Sequence, residues 1–278
     1  MQMEVWRQEN VNKPASILFV GDIVGGIGRQ TLLTLLPSLR DRLGPDFIVV
    51  NGENAAGGVG ITQKVAEQLF AAGIDVITLG NHAYRHREVY AYLDEERRIV
   101  RPANFLRSQP GHGWCVVSRA DARLGVLQLS GNLFMNAGRP AFSEADAALH
   151  ELADQADHVL VDMHAEATSE KVGMGWHLDG RVTAVLGTHT HVPTADARIL
   201  PGGTAYITDV GMTGPRGGVI GVKREQALES MITRMPVKFE TSDDDPWLNA
   251  VLIRTEENSM RAASIEQVLE PVHSSLAG

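Results

Sequence analysis

Five short apolar runs in this chain end in the same kind of residue. "SILFV" leads into Gly21-Asp22, "DFIVV" into Asn51-Gly52-Glu53-Asn54, and "DVITL" into Gly80-Asn81-His82. Further on, "HVLVD" leads into Met163-His164, and "TAVL" into Gly187-Thr188-His189-Thr190-His191. Each run is short, apolar and rich in β-branched residues, as expected of strands buried on both faces. Helix-like stretches, Gln30–Leu43 and Gln63–Ala72, separate the first three. That alternation predicts βαβ units and a largely parallel sheet. Ligands of open α/β sheets bind beyond the carboxyl ends of the strands. Here all five ends carry side chains able to hold a metal ion. A lone histidine after a strand is ordinarily a structural residue, but five endings of one kind point to a site.

The rest of the chain is patterned differently. "GWCVVSRADARLGVLQLSGN" reads as two strands joined by a polar turn at Ala120–Arg123. "ARILPGGTAYITDVG" reads as a second hairpin turning on Pro201-Gly202-Gly203, and "WLNAVLIRTEENSMRAASIEQV" as a third pair. Alternation first and hairpins later predict an α/β fold with a mixed sheet, or two sheets packed together with helices outside. No linker, repeat or low-complexity tract divides the chain. One domain is expected over 16–270, between a flexible N-terminal extension, 1–15, and a loose C-terminal tail, 271–278.

Composition bounds the partners. Hydrophobic residues make up 44% of the 278, enough for a full core. The net charge is −9 and no basic patch stands out, which argues against a DNA duplex. A small phosphorylated ligand would need local positive charge, such as metal ions supply. The single cysteine, Cys115, rules out an intrachain disulfide and suits a reducing compartment. It is expected to be a packed strand residue rather than a nucleophile. With no secretory segment and no apolar run of membrane-spanning length, a cytoplasmic protein with no membrane partner is expected.

The candidate ligands are Asp22, Glu53, Asn54, Asn81, His164, His189 and His191, with His82 beside them. Carboxylates, amide oxygens and imidazoles without thiolate suit Mn, Fe or Zn, and magnesium fits three histidines less well. The set is too large for one ion. Two divalent ions sharing Glu53 would leave a net positive charge, since only Asp22 and Glu53 return negative charge. Such a site attracts phosphate and favours a bridging hydroxide as nucleophile. The reaction class that follows is phosphoester hydrolysis.

At this point the motifs "GD", "GNH", a later lone His and "GTHTH" resemble those of the calcineurin-like metallophosphoesterases. "GDIVGGIGR", "NGENAAGG", "RPANF", "DMHAEATSEK", "MGWHLDGRV", "GTHTHVPTADARILPGGTAYITDVGMTG" and "GVIG", over about residues 16–221, resemble the YmdB-like bacterial phosphodiesterase family. The resemblance implies a four-layer αββα sandwich of mixed sheets and a di-iron or di-manganese centre. It also implies cyclic-nucleotide phosphodiesterase activity, including on 2′,3′-cyclic AMP, and a homo-oligomer. By motif, Asp22, Glu53, Asn54 and His191 would serve one ion; Glu53, Asn81, His164 and His189 would serve the other. Asn54 and His82 would also meet substrate. His82 resembles the superfamily histidine that contacts the phosphate and can protonate the leaving oxygen. General acid catalysis of this kind is worth about two to four orders of magnitude in rate.

The chain also departs from the wider pattern. Asp22-Ile23-Val24 replaces Asp-x-His, and Glu53-Asn54 stands where Asp is usual; both are features of the YmdB-like branch. After "GNH", Ala83-Tyr84-Arg85 takes the place of an expected Asp that could orient His82. Arg85 has three readings: a contact to substrate phosphate, a like charge lowering the pKa of His82, or a solvated residue at a helix start. Glu88 could substitute as the orienting acid, and His86 is expected at the surface. Ser169 or Thr168 is an N-cap candidate, while Glu166, Ser169 and Lys171 could support the phosphate or the ligands. Trp176 and His177 are expected in a loop or short helix.

Two rivals are weighed. "GDIVGGIGRQT" lacks the third glycine of a dinucleotide motif and the Lys-Ser/Thr of a P-loop, and neither explains the histidines. A metal-binding regulatory protein of the same fold with little turnover is the alternative to an enzyme; the intact donor set argues against it.

Overall fold

The computed structural model describes residues 13–119 and 121–272. Most of the expected N-terminal extension and C-terminal tail, residues 1–12 and 273–278, lies outside the described residues, as does Ala120 in the first hairpin turn. The elements in order are β1 (Ser16–Val20), α1 (Gly25–Leu43), β2 (Phe47–Asn51), α2 (Gln63–Ala71), β3 (Val76–Thr78), α3 (Tyr90–Glu95) and β4 (Ile99–Val100). Then come β5 (Trp114–Arg119), β6 (Ala122–Ser130), α4 (Ala141–Leu152), β7 (His158–His164), α5 (Thr168–Leu178) and β8 (Ala184–Thr188). The chain continues with β9 (Arg198–Ile199), β10 (Ala205–Ile207), β11 (Gly214–Pro215), α6 (Arg224–Thr233), β12 (Pro246–Thr255) and β13 (Ala262–Pro271).

The strands form two mixed sheets. The seven-stranded sheet runs β11-β12-β1-β2-β3-β4, with β13 also paired to β12. Its β1 to β4 are parallel, and the β12–β13 hairpin joins antiparallel to β1. The six-stranded sheet runs β5-β6-β7-β8-β10-β9, parallel from β6 to β10 with an antiparallel strand at each edge. All three expected hairpins form.

Alternation along the strands sorts side chains into three apolar layers. On β1, Leu18 and Val20 face outward to Leu32, Leu35, Leu36 and Leu39 of α1. Those leucines recur at helical spacing, which gives α1 its buried stripe. Ile17 and Phe19, pointing the other way, meet Leu124, Val126, Leu160 and Leu186 of the second sheet. Beyond that sheet, Leu127, Val161 and Val185 pack on α4 and α5 through Ala145, Ala148 and Met174. Helices, sheet, sheet, helices: the arrangement is the four-layer αββα sandwich.

Local signals explain several element ends. Gly44, at φ 56°, closes α1 by donating its N–H to the Arg40 carbonyl. Thr62 caps α2 by accepting from the Val65 N–H. The expected cap of α5 is corrected: Ala167 occupies the cap without a side-chain bond, and Thr168 and Ser169 lie inside the helix. Trp176 and His177 lie on α5 too, rather than in a loop. Among the described residues no helix is long and apolar enough to cross a membrane.

Candidate metal centre

The parallel strands of both sheets point their carboxyl ends at one place. Asp22 follows β1, Glu53 and Asn54 follow β2, and Asn81 follows β3, all from the first sheet. His164 is the last residue of β7, and His189 and His191 follow β8, in the second sheet. Packing the sheets face to face therefore brings together residues up to 169 positions apart in the chain, from Asp22 to His191.

His164 Nε2 is at the middle. It lies 3.0 Å from Asn81 Oδ1, 3.1 Å from Glu53 Oε1 and 3.1 Å from His189 Nδ1. The other nitrogens of these rings are already engaged. Asp162 Oδ1 accepts the Thr188 hydroxyl at 2.6 Å, so Thr188 in turn accepts from His164 Nδ1 at 2.8 Å. His189 Nε2 faces Glu166 Oε2 at 3.1 Å. Both histidines thus turn lone pairs toward the amide oxygen and carboxylate, when neutral. Four facing acceptors need a cation among them.

Burial would lower the pKa of His164, but the Glu53 carboxylate overrides it and holds the ring at about 9. His189 is pushed down to about 3 by burial and by His164 beside it. Burial works against ionising Glu53, yet the charge and hydrogen bonds of His164 and His82 keep its carboxyl well below the usual range. Glu53, His164 and His189 present ligand atoms all within 4.8 Å of one another.

Asp22, Asn54 and His191 complete the group. Asp22 is fully buried, and its Oδ1 has no hydrogen-bond partner among the described residues. Its Oδ2 accepts from the His189 N–H at 3.2 Å, and its carboxyl pKa is raised by burial, opposed by His191 and His164. His191 Nδ1 donates to the Ile220 carbonyl at 2.9 Å, which leaves Nε2 facing the Asn54 amide at 3.2 Å. An orphaned buried carboxylate oxygen beside convergent oxygen and imidazole acceptors is a donor set that fits divalent cations. Gly80 shows how tightly the donors are drawn in: a Cβ there would lie 2.3 Å from both Glu53 Oε2 and His164 Nε2.

His82 stands at the rim with its side chain 35% exposed. Its Nδ1 is 2.8 Å from Asn54 Oδ1 and 3.3 Å from Glu53 Oε1. Arg85 is exposed, leans on the Gly60 turn and makes no ion pair among the described residues. His86 Nε2 donates to the Val59 carbonyl at 2.9 Å, and Glu88 lines a surface cleft with Thr62, Gln63, Lys64 and Glu67.

Sequence reasoning offered Glu166 and Lys171 as supports but missed Asp162 and Asp209 beneath the candidate ligands. Asp162 is buried and accepts from Thr188, Thr78 and Asn51; burial raises its carboxyl to about 6, opposed by His164 and those bonds. The signal for it was an acid closing the apolar run "HVLVD". Asp209 Oδ2 accepts from Lys171 Nζ at 2.7 Å, from the Thr190 N–H at 3.1 Å and from the Thr190 hydroxyl at 2.6 Å. That pair braces His189 and His191, whose φ values of 94° and 67° lie in the left-handed region.

Two facing mixed sheets with a candidate metal-holding group across their carboxyl ends define a metallophosphoesterase-type fold. At the level of fold alone it is shared with the NAD nucleotidase of Haemophilus influenzae, at 11% identity and a TM-score of 0.54, over 93% of this chain and 56% of that one. The chain belongs to the YmdB-like protein family, whose model matches residues 18–268. It is 44% identical over 253 residues to the 2′,3′-cyclic-nucleotide 2′-phosphodiesterase of Bacillus subtilis, covering 91% of this chain and 96% of that one. The crystal structure of a novel phosphatase from Mycoplasma pneumoniae matches with a TM-score of 0.88 and 33% identity, covering 96% and 97% of the two chains.

Proposed function

We propose that this protein is a metal-dependent phosphodiesterase that opens cyclic nucleotides such as 2′,3′-cyclic AMP. The observation that carries the reading is the ring of acceptors around His164 Nε2 with His82 at its rim. Asp22, Glu53, Asn54 and His191 would hold one ion, and Glu53, Asn81, His164 and His189 a second; iron or manganese suits them, with zinc as a further candidate. Bound there, such ions supply Lewis acidity that offsets developing charge on a phosphodiester and acidifies water.

The chain's own residues do the rest. Thr188 and Glu166 hold His164 and His189 in one tautomer each, so their lone pairs stay aimed inward. Asn54 Oδ1 accepts from His82 Nδ1, which fixes the proton on that nitrogen and leaves Nε2 to face the substrate. In the imidazolium form Nε2 carries a second proton, which His82 donates in a hydrogen bond to the phosphate or delivers to the departing ribose oxygen, leaving the ring neutral with its proton on Nδ1. The Asn54 amide and, through its charge, Arg85 are further substrate contacts. Residues 16–270 act as one domain in a cytoplasmic homo-oligomer.

The test is turnover. Protein loaded with Mn²⁺ or Fe²⁺ is expected to hydrolyse 2′,3′-cyclic AMP, and Asp22→Ala to lose both metal and activity. Absence of metal-dependent hydrolysis of any phosphodiester would overturn the reading.

A further inference from the structure

Between β6 and α4 the chain exposes two apolar residues in a row, Leu133 and Phe134, followed by the half-buried Met135. Phe134 is 88% exposed and sits at φ 65°, a left-handed conformation unusual for a bulky residue. Leaving a ring in water forgoes the gain of burying it. Both features are unfavourable, yet the loop around them is firmly held.

Glu170 of α5, itself buried, accepts the N–H groups of Asn132 at 2.8 Å and Leu133 at 3.1 Å. The Asn132 side chain accepts from the Ala141 N–H at 2.9 Å and donates to the Arg139 carbonyl at 2.9 Å. Buried Asn104 donates to the Ser130 and Arg139 carbonyls at 2.8 and 3.1 Å. The base of the loop is thus fixed on both sides, and only its tip is bare. Strain held in a rigid frame is characteristic of functional sites.

The tip adjoins a cavity of about 250 Å³ lined by Asn81, Phe105, Phe134, Met135, Asn136 and His189. One wall is shared with the candidate metal centre; the others are two aromatic rings, a thioether and an amide. A phosphodiester seated at Asn81 and His189 would have its organic part within reach of this cavity. Apolar, aromatic walls with one amide suit a flat heterocycle with polar edges.

We propose that Phe134 is the stacking platform for the nucleobase of the substrate, with Phe105 and Met135 flanking the base and the Asn136 amide at its edge. The assignment rests on the reading under Proposed function, and it adds which part of the substrate the enzyme selects. Stacking tolerates any base, because every base has a π face; the site therefore discriminates nucleotides from base-free esters rather than one base from another.

The experiment compares the Mn²⁺-loaded enzyme with Phe134→Ala and Phe134→Trp on 2′,3′-cyclic AMP and on glycerol 1,2-cyclic phosphate, which has no base. The ratio of kcat/KM for the two esters is expected to fall about tenfold in Phe134→Ala, mainly through KM, and to return in Phe134→Trp. A ratio unmoved in Phe134→Ala overturns the proposal. If that variant instead changes only the oligomeric state by light scattering, the ring belongs to a contact between copies and the proposal falls. Should the wild-type protein turn over neither ester, Proposed function fails by itself, and calorimetry then decides the inference. Adenosine 3′-monophosphate binding about tenfold tighter than inorganic phosphate, with the preference lost in Phe134→Ala, supports it. Equal binding of the two overturns it.

Discussion

Asn54 Oδ1 lies 2.8 Å from His82 Nδ1. The chain carries Arg85 where a carboxylate was expected behind this histidine, and the structure places a strand-end amide there instead. The neutral amide takes the shorter contact. Glu53 Oε1, at 3.3 Å, is a second acceptor for the same nitrogen. The orienting group thus comes from the turn after β2, not from the segment following His82.

His82→Ala is expected to lower kcat on 2′,3′-cyclic AMP by about two to four orders of magnitude. Metal content, measured by mass spectrometry, should stay unchanged. The loss should be smallest on a diester of 4-nitrophenol, whose leaving oxygen needs little help from an acid. An equal loss on both esters would remove proton delivery as the role of His82.

Lys171 and Asp209 are 1% and 0% exposed and pair at 2.7 Å. Replacing Lys171 by Met leaves a buried carboxylate without its cation, at a cost of about 3–5 kcal/mol. Urea unfolding should register that loss. Asp209 holds Thr190 by both backbone and hydroxyl, so metal affinity should fall as well. Adding Asp209→Asn to Lys171→Met should recover part of the stability, because the stranded charge is removed.

Gly80→Ala is expected to abolish metal uptake while the fold persists by circular dichroism. The new Cβ would press on Glu53 Oε2 and His164 Nε2 at 2.3 Å, displacing both donors. Retained stoichiometric metal in this variant would show that those two side chains are not ligands.

Chelation should lower the melting temperature. Titrating Mn²⁺ back should raise it with concentration, by an amount equivalent to about 2.7 kcal/mol at one hundred times Kd. Asp22→Asn, which leaves a neutral amide in place of the buried carboxylate, should blunt the response.

Burial pushes the Cys115 thiol up to about 12. The folded state therefore favours the protonated thiol, and this stabilisation is complete below the thiol's unfolded pKa. It is lost as pH climbs through that value toward about 12. A thiol reagent at pH 8 should label Cys115 only after denaturant is added; rapid labelling of the folded protein would contradict the buried placement.

Much of this architecture follows from local pattern. β-branched runs, turn glycines and helical leucine spacing are properties of neighbouring residues, so βαβ order and all three hairpins could be read along the chain. The residue types at the five strand ends likewise point to a metal site without reference to any contact. The supports were not legible in the same way. Asp162 reaches Thr78, and Lys171 reaches Asp209, across 84 and 38 positions. No periodicity encodes such pairs. Nor could spacing say that β1 to β3 belong to one sheet and β7 to β8 to the other.

Sequence alone thus determined which elements form and which side chains stand at their carboxyl ends, since both depend on short-range sterics and hydrophobic alternation. Tertiary structure decided that two separate sheets aim those ends at one point. It also decided that Asn54 orients His82 and that Glu170 holds up an exposed Phe134. Those relationships arise only when the faces bury each other, because burial is what brings distant polar groups within hydrogen-bond reach.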